Sequence, residues 1–364
     1  MNDVDLNKDL LTDLTMARGI AGNESEVRDV FRKYADTYSQ EYLEDGIGGI
    51  FAKHVGNEQG PRVLLAGHLD EVGFMVSQIT DKGFIKFQTI GGWWSQVVLA
   101  QQVEITTREG KVYRGVTGSK PPHVLTPEAR KQPIDMSDIF IDIGATSKEQ
   151  VEAWGIRRGD MITPYIETRR LNPDSPFLLG KAWDNRIGVA VAVEALKHAH
   201  DKGHQTVLFA GANSQEEVGL RGAKVAANLI KPDLAIALDT GTAGDTPGMT
   251  AKEADSVLGE GPQIIVYDAS MVGHKGLREF VTDIADEANI PYQLTFIPGG
   301  GTDAGSFHVA QNGIPSIAIT VPVRYLHSHT SVIHEDDYLN TVKLVNAIVD
   351  HLNQDTMVEI KKNV

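Results

Sequence analysis

Apolar residues recur every three or four positions over residues 5–18 (Leu6, Leu10, Leu14), a spacing that predicts an amphipathic helix ending at Gly19. A second helix is predicted to start near Asn23–Glu26, with Asn23 as N-cap and Glu26 three residues on. Residues 41–55 alternate weakly about D-G-I-G-G and read as strands around a Gly-rich turn. Val63–Ala66 is a continuous apolar run, a buried strand, with His68 and Asp70 at its end on the same side of an extended chain. From about Gly73 to Phe177 the period shortens to two. Phe74–Ile79, Phe84–Thr89, Gln102–Thr107, Lys111–Val116 and Ile139–Ile143 alternate between turn residues, and the one helix predicted there is short, near Lys148–Trp154. A polar, Pro-rich loop, Ser119–Pro133, interrupts this stretch.

At Leu178 the longer period returns. K-A-W-D-N-R leads into an apolar helix, followed by a strand at 206–210, two adjacent glutamates, a helix to about Leu229 and a strand from Asp233 to Leu238 that ends at Asp239. Then come a strand at 263–267, a helix at 276–288, a strand at 292–297, a helix at 303–311, a strand at 316–321 and a last helix over about 335–353. Strands alternating with helices predict an α/β fold with a mostly parallel sheet flanked by helices. Residues 1–72 and 178–364 form that domain, and residues 73–177 form an inserted small β-domain.

Composition narrows the chemistry. The chain has 364 residues, a formal charge of −15 and no cysteine. The acidic balance argues against nucleic acid and anionic membranes as partners. Without cysteine, thiolate metal sites and cysteine nucleophiles are excluded, and any transition metal must be held by His, Asp and Glu. The polar N-terminus lacks the apolar core of a signal peptide and no stretch is long enough to span a membrane, so the expected location is cytoplasmic.

In open α/β sheets, active sites lie beyond the carboxyl ends of the strands. His68, Glu216 with Glu217, Asp239 and His327 fall there, and Asp184 falls just before a helix. A pair of divalent cations needs a bridging carboxylate and His or carboxylate ligands on each ion. Asp184 can bridge, His68 and Asp239 can complete one site, and Glu217 and His327 the other. On extended chain Glu216 points away from Glu217 and is free to move a proton. Asp70 reads as an orienting partner of His68, since ligating histidines usually donate their other N–H to a carboxylate. Gly299–Gly301 lack the lysine of a phosphate loop.

G-H-L-D-E-V-G-F at 67–74, K-A-W-D-N-R at 181–186, Q-E-E-V-G-L-R-G-A at 215–223, A-L-D-T at 237–240, G-G-T-D-A at 300–304 and R-Y-L-H-S-H at 324–329 resemble the glutamyl and deblocking aminopeptidases, in order and over essentially the whole chain. D-G-I-G-G-I-F, G-G-W and P-P-H look most like the glutamyl aminopeptidases of lactic bacteria and streptococci. The resemblance implies a dimetal exopeptidase fold and two divalent ions, zinc or cobalt, on His68, Asp184, Glu217, Asp239 and His327. It also implies a general base at Glu216, Asp70 behind His68, and a cis peptide between Asp184 and Asn185. Glu216 would take a proton from an attacking water acidified by the ions and return it to the leaving amine. Peptides are the implied substrates, with N-terminal Glu or Asp preferred, and homodimers building to a homododecamer the implied assembly. Lys252, Lys275 and Arg324 are the candidate partners of an acidic side chain. Alternatives are a broad or leucyl-type aminopeptidase, a dimetal carboxypeptidase or deacylase, a silent scaffold, and a carbohydrate hydrolase. Adjacent glutamates are poorly placed for the last.

Overall fold

The structure is a computed structural model that describes residues 5–364. The polar start at residues 1–4 lies outside them. Helices α1 (Lys8–Met16) and α2 (Ser25–Ala35) lead into strands β1 (Glu41–Glu44), β2 (Ile50–Val55) and β3 (Arg62–His68). The expected cap of α2 is displaced: Glu24, not Asn23, occupies the position, and its side chain makes no capping hydrogen bond.

Six strands follow: β4 (Gly73–Ile79), β5 (Ile85–Ile90), β6 (Gln102–Thr106), β7 (Val112–Gly118), β8 (Phe140–Asp142) and β9 (Met161–Pro164). They close into a barrel in the order β4-β5-β8-β7-β6-β9, filled by Phe74, Val76, Ile85, Val103, Ile105, Ile141 and Ile162. Strand β9, too short to register as an alternating run, joins β4 to β6 and removes both open edges. Helix α3 (Lys148–Ala153) is the short helix expected there, capped by Ser147. The Ser119–Pro133 loop carries two short 3-10 turns and is largely exposed.

Strands β10 (Arg169–Arg170) and β11 (Phe177–Gly180) return the chain to helix α4 (Trp183–Lys202). The remaining order is β12 (Val207–Asn213), α5 (Arg221–Ile230), β13 (Leu234–Thr242), β14 (Gln263–Asp268), β15 (Met271–Val272), α6 (Lys275–Ala288), β16 (Gln293–Ile297), α7 (Asp303–His308), β17 (Ser316–Val323), β18 (Ser331–His334), α8 (Glu335–His351) and α9 (Gln354–Lys362). The sheet runs β1-β2-β12-β3-β13-β17-β14-β15, with β16 paired to β14. Its four central strands, β12, β3, β13 and β17, are mutually parallel, and antiparallel neighbours β2 and β14 flank them.

The continuous apolar runs are explained by burial on both faces. Val63, Leu65, Leu208, Ala210, Ile236, Leu238, Ile317 and Ile319 pack into the core beneath α1, α2, α4, α6 and α8. The intervening Leu64, Ala66, Val207, Phe209, Ala235, Ala237 and Ala318 pack beneath α5 and α7 on the other face. Helix α8 ends at His351, close to the expected end, and α9 beyond it is a further helix that was not expected, capped by Asn353 through a capping box with Thr356. No helix among the described residues is long and apolar enough to cross a membrane.

Candidate functional site

The parallel core sets the site. His68 is the last residue of β3, the segment carrying Glu216 and Glu217 follows β12, and His327 lies shortly beyond β17. Asp239 differs from its expected strand-end position: β13 continues to Thr242, so Asp239 lies within it. Asp184 enters from the start of α4, which packs against β3, β12 and β13. That approach depends on two glycines. A Cβ on Gly188 would stand 2.1 Å from the Leu238 carbonyl oxygen, and one on Gly67 2.7 Å from the Val189 nitrogen. Both contacts are closer than real side chains allow, so the absence of Cβ atoms lets Asp184 reach the strand ends. The Asp184–Asn185 peptide is cis, and the Asn185 side chain donates to the Leu238 carbonyl at 2.7 Å.

The paired glutamates are not on extended chain. Strand β12 runs to Asn213, beyond its expected end, and Glu216 and Glu217 sit on an irregular segment after Gln215, whose φ is +56°. Their separate directions come from this segment and not from strand alternation. Asp70 fixes it: its two carboxylate oxygens accept the Glu216 N–H at 3.0 Å and the Glu217 N–H at 3.1 Å. His68 Nδ1 donates to the Asp70 main-chain carbonyl at 2.9 Å, with the carboxylate farther away at 3.4 Å. Asp70 therefore orients His68 chiefly through its carbonyl, and its carboxylate holds the glutamate segment.

Six side chains converge. Asp184 Oδ1 lies 3.3 Å from His68 Nε2, and Asp184 Oδ2 lies 3.3 Å from His327 Nε2. Asp239 Oδ1 and Glu216 Oε2 are each 3.8 Å from His68 Nε2, and Glu217 Oε2 is 3.4 Å from His327 Nε2. Donor atoms of His68, Asp184 and Asp239 lie within 4.8 Å of one another, as do those of Asp184, Glu217 and His327, and those of His68, Glu216 and Glu217. The first two groups share Asp184. His68 and Asp239 are buried, Asp184, Glu216 and Glu217 are partly buried, and His327, whose side chain keeps 36% exposure, marks the mouth.

The electrostatics fit a cationic occupant. Burial, together with neighbouring carboxylates, pushes Glu217 up to about 8 and holds Glu216 and Asp239 well above the usual carboxylate range. Burial opposes charge on His68 and His327 as well, yet the surrounding carboxylates raise both, His327 to about 9. Burial also opposes charge on Asp184, but the hydrogen bonds from His327 and His68 outweigh it and hold the carboxyl low. Glu217 Oε1 is buried with no hydrogen-bond partner. Four carboxylates at close range need positive charge among them, and imidazole nitrogens with carboxylate oxygens are a donor set that suits zinc and its neighbours in the first transition row.

Several supporting groups lie in the sequence motifs without a role assigned to them there. Arg186 is fully buried and donates to the carbonyls of Leu14, Ala17, Gly19 and Leu69. Lys181 is buried against Glu71, 2.5 Å away, and Arg186 reaches the same carboxylate oxygen at 3.3 Å. These pairs hold the turn after His68 against the start of α4. Asp303, present in the G-G-T-D-A motif but without an assigned role, is buried at the start of α7 and accepts from the Asn213 side chain at 2.7 Å. Burial pushes its carboxyl up to about 7. His329, two residues past His327, turns away from the cluster, and its ring lies 5.2 Å from that of Trp93 of the inserted barrel. Of the three candidate cations, Lys275 lies with Pro315 and Ser316 at the amino end of β17, opposite the site. Lys252 is exposed in the turn at 251–253. Arg324 directly follows β17 on the site side and pairs with Asp245, its Nε at 2.8 Å.

Residues 48–344 match a family described as M42 glutamyl aminopeptidase. The glutamyl aminopeptidase of Lactococcus lactis subsp. cremoris is 38% identical over 350 residues, 96% of this chain and 97% of that protein. The lysyl aminopeptidase of Pyrococcus furiosus is 32% identical over 351 residues, 94% and 97% of the two chains. Among solved structures, a TET aminopeptidase from a marine-sediment Thaumarchaeota archaeon superposes with a TM-score of 0.93 at 41% identity, covering 97% of this chain and 98% of its own. The TET1 peptidase of Pyrococcus horikoshii, described as assembling into a tetrahedron or a large octahedral shell, superposes at 0.84 with 31% identity, over 94% and 99%.

Proposed function

The chain belongs to the M42 glutamyl aminopeptidase family, and from that premise we propose that it removes N-terminal residues from peptides with two divalent cations, zinc or cobalt, and prefers Glu or Asp at the cleaved position. The observation that carries the two-ion reading is Asp184, whose two oxygens each face a different histidine at 3.3 Å. His68, Asp184 and Asp239 would hold one ion, and Asp184, Glu217 and His327 the other. When bound, such ions supply positive charge to polarise the scissile carbonyl and acidify water.

The chain's own residues do the rest. Glu216, whose Oε2 lies 3.8 Å from His68 Nε2, takes a proton from the attacking water as the water oxygen bonds to the carbonyl carbon. It delivers that proton to the amide nitrogen as the C–N bond breaks, leaving a free amine. Asp70 keeps Glu216 and Glu217 in fixed relation to each other through their amides, and the peptide enters past His327.

Acidic preference is supported by the glutamyl relative. Arg324, on the site side of β17, is held by Asp245, so it can take a substrate carboxylate only by sharing or leaving that pair. At fixed metal and salt, kcat/KM for a Glu-anilide should exceed that for a Leu-anilide by more than about tenfold, because a site built to pair a carboxylate makes charge-assisted hydrogen bonds that Leu cannot. Equal rates would make the enzyme a broad aminopeptidase, and faster cleavage of a Lys-anilide would place it with its lysyl relative.

Residues 1–72 and 178–364 form the catalytic unit in this reading, and residues 73–177 form the assembly unit. The barrel leaves Trp94 60% exposed, and Val124 in the adjoining loop 70% exposed. Peptides and copies of the same chain are the partners, with homodimers building to a homododecamer by closed symmetry. Light scattering at micromolar concentration should report a mass of twelve chains, and a monomer alone would overturn the assembly.

A further inference from the structure

The amides of Gln215, Glu216 and Glu217 are consecutive, and each is held by a buried carboxylate. Asp70 takes the last two. The first donates to Glu24 Oε1 at 3.2 Å, and the same oxygen accepts the Gly22 N–H at 2.8 Å. Glu24 stands at the N-cap position of α2, where a side chain would ordinarily turn back to the helix amides. It does not, and is instead directed inward at 4% exposure. Its second oxygen lies against Gly48, near Ser214. Burying a carboxylate is costly unless it is hydrogen-bonded, so this placement needs a purpose beyond ending a helix.

Gln215 supplies one. At φ +56° it occupies the left-handed region, which non-glycine residues seldom adopt. Among the described residues its N–H has one partner, Glu24. We propose that Glu24 is a positioning residue for the reaction: by accepting the Gln215 N–H it fixes the turn that aims the Glu216 carboxylate. Glu24 touches neither substrate nor ligands. It links the first turn of α2 to the proton-transfer group, 192 positions later in the sequence. The inference rests on the reading of Glu216 as general base.

The required property is an acceptor oxygen at the right reach, not a charge. Glu24→Gln keeps the reach and an acceptor; Glu24→Asp keeps the charge but is one methylene short of Gln215. Both variants should be measured against wild type and Glu216→Gln on metal-restored protein, with kcat, KM, metal content and circular dichroism recorded together. The expected result is that Glu24→Gln retains kcat within about threefold. Glu24→Asp should lose about tenfold or more in kcat with KM within about twofold and full metal, since sub-ångström misplacement of a catalytic group is enough for such losses. Glu24→Asp turning over like wild type, Glu24→Gln falling as far as Glu24→Asp, or a loss confined to KM, metal content or folding would each overturn the proposal. If Glu216→Gln itself keeps its turnover, the underlying reading fails instead, so the two failures are separable.

Discussion

Glu216→Gln should retain both metal ions and lose nearly all turnover. The substitution is isosteric and leaves Asp184, Glu217, Asp239, His68 and His327 in place, and the amide N–H of residue 216 still reaches Asp70. It removes only a carboxylate that can accept and return a proton. General acid–base catalysis is typically worth ~10²–10⁴ in rate, which sets the expected loss in kcat. The loss should appear in kcat more than in KM, because the proton moves in the transition state and not in the ground state. Metal content and steady-state rate measured on one preparation decide the matter. Turnover near the wild-type rate would remove Glu216 from the base role.

Asp184→Asn should behave differently, losing activity because it loses metal. Asp184 is common to the His68–Asp239 and the Glu217–His327 donor groups, and each of its oxygens faces a separate histidine. An amide offers one weaker acceptor oxygen, and its NH2 would confront one of the two histidines. Groups that merely support a ligand typically carry ~10–100-fold in metal affinity, and a ligand shared between two ions should carry more. Metal bound per chain after dialysis should fall below that of Glu216→Gln under the same conditions. Retention of both ions would show that Asp184 does not bridge.

The meeting of His68, Asp184, Glu216, Glu217, Asp239 and His327 was legible in the sequence because each follows or lies near the end of a strand or precedes a helix in an α/β alternation. Parallel strands gather such positions at one edge. Some local geometry was hidden by the same signals. Gly211, Ala212 and Asn213 continue β12 although small and polar residues usually end an apolar run, so the strand reads as ending at residue 210. Helix α9 lies past the last expected helix, and its start is set by one capping side chain, Asn353. Strand β9 has four residues and takes its stability from closing the barrel, a nonlocal effect. Lys181, Arg186, Glu71 and Glu24 are charged residues whose burial a one-dimensional pattern does not show. Their burial depends on partners up to 191 positions away in the sequence.

Stepwise metal restoration tests the account most directly. The protein should be stripped with a chelator, checked for metal by mass spectrometry, and titrated with zinc or cobalt while hydrolysis of a Glu-anilide is followed. The account predicts no turnover in the stripped protein and recovery that is complete at two ions bound per chain. Full activity in stripped protein held in excess chelator, or saturation of activity at one ion with no second ion bound, would contradict it.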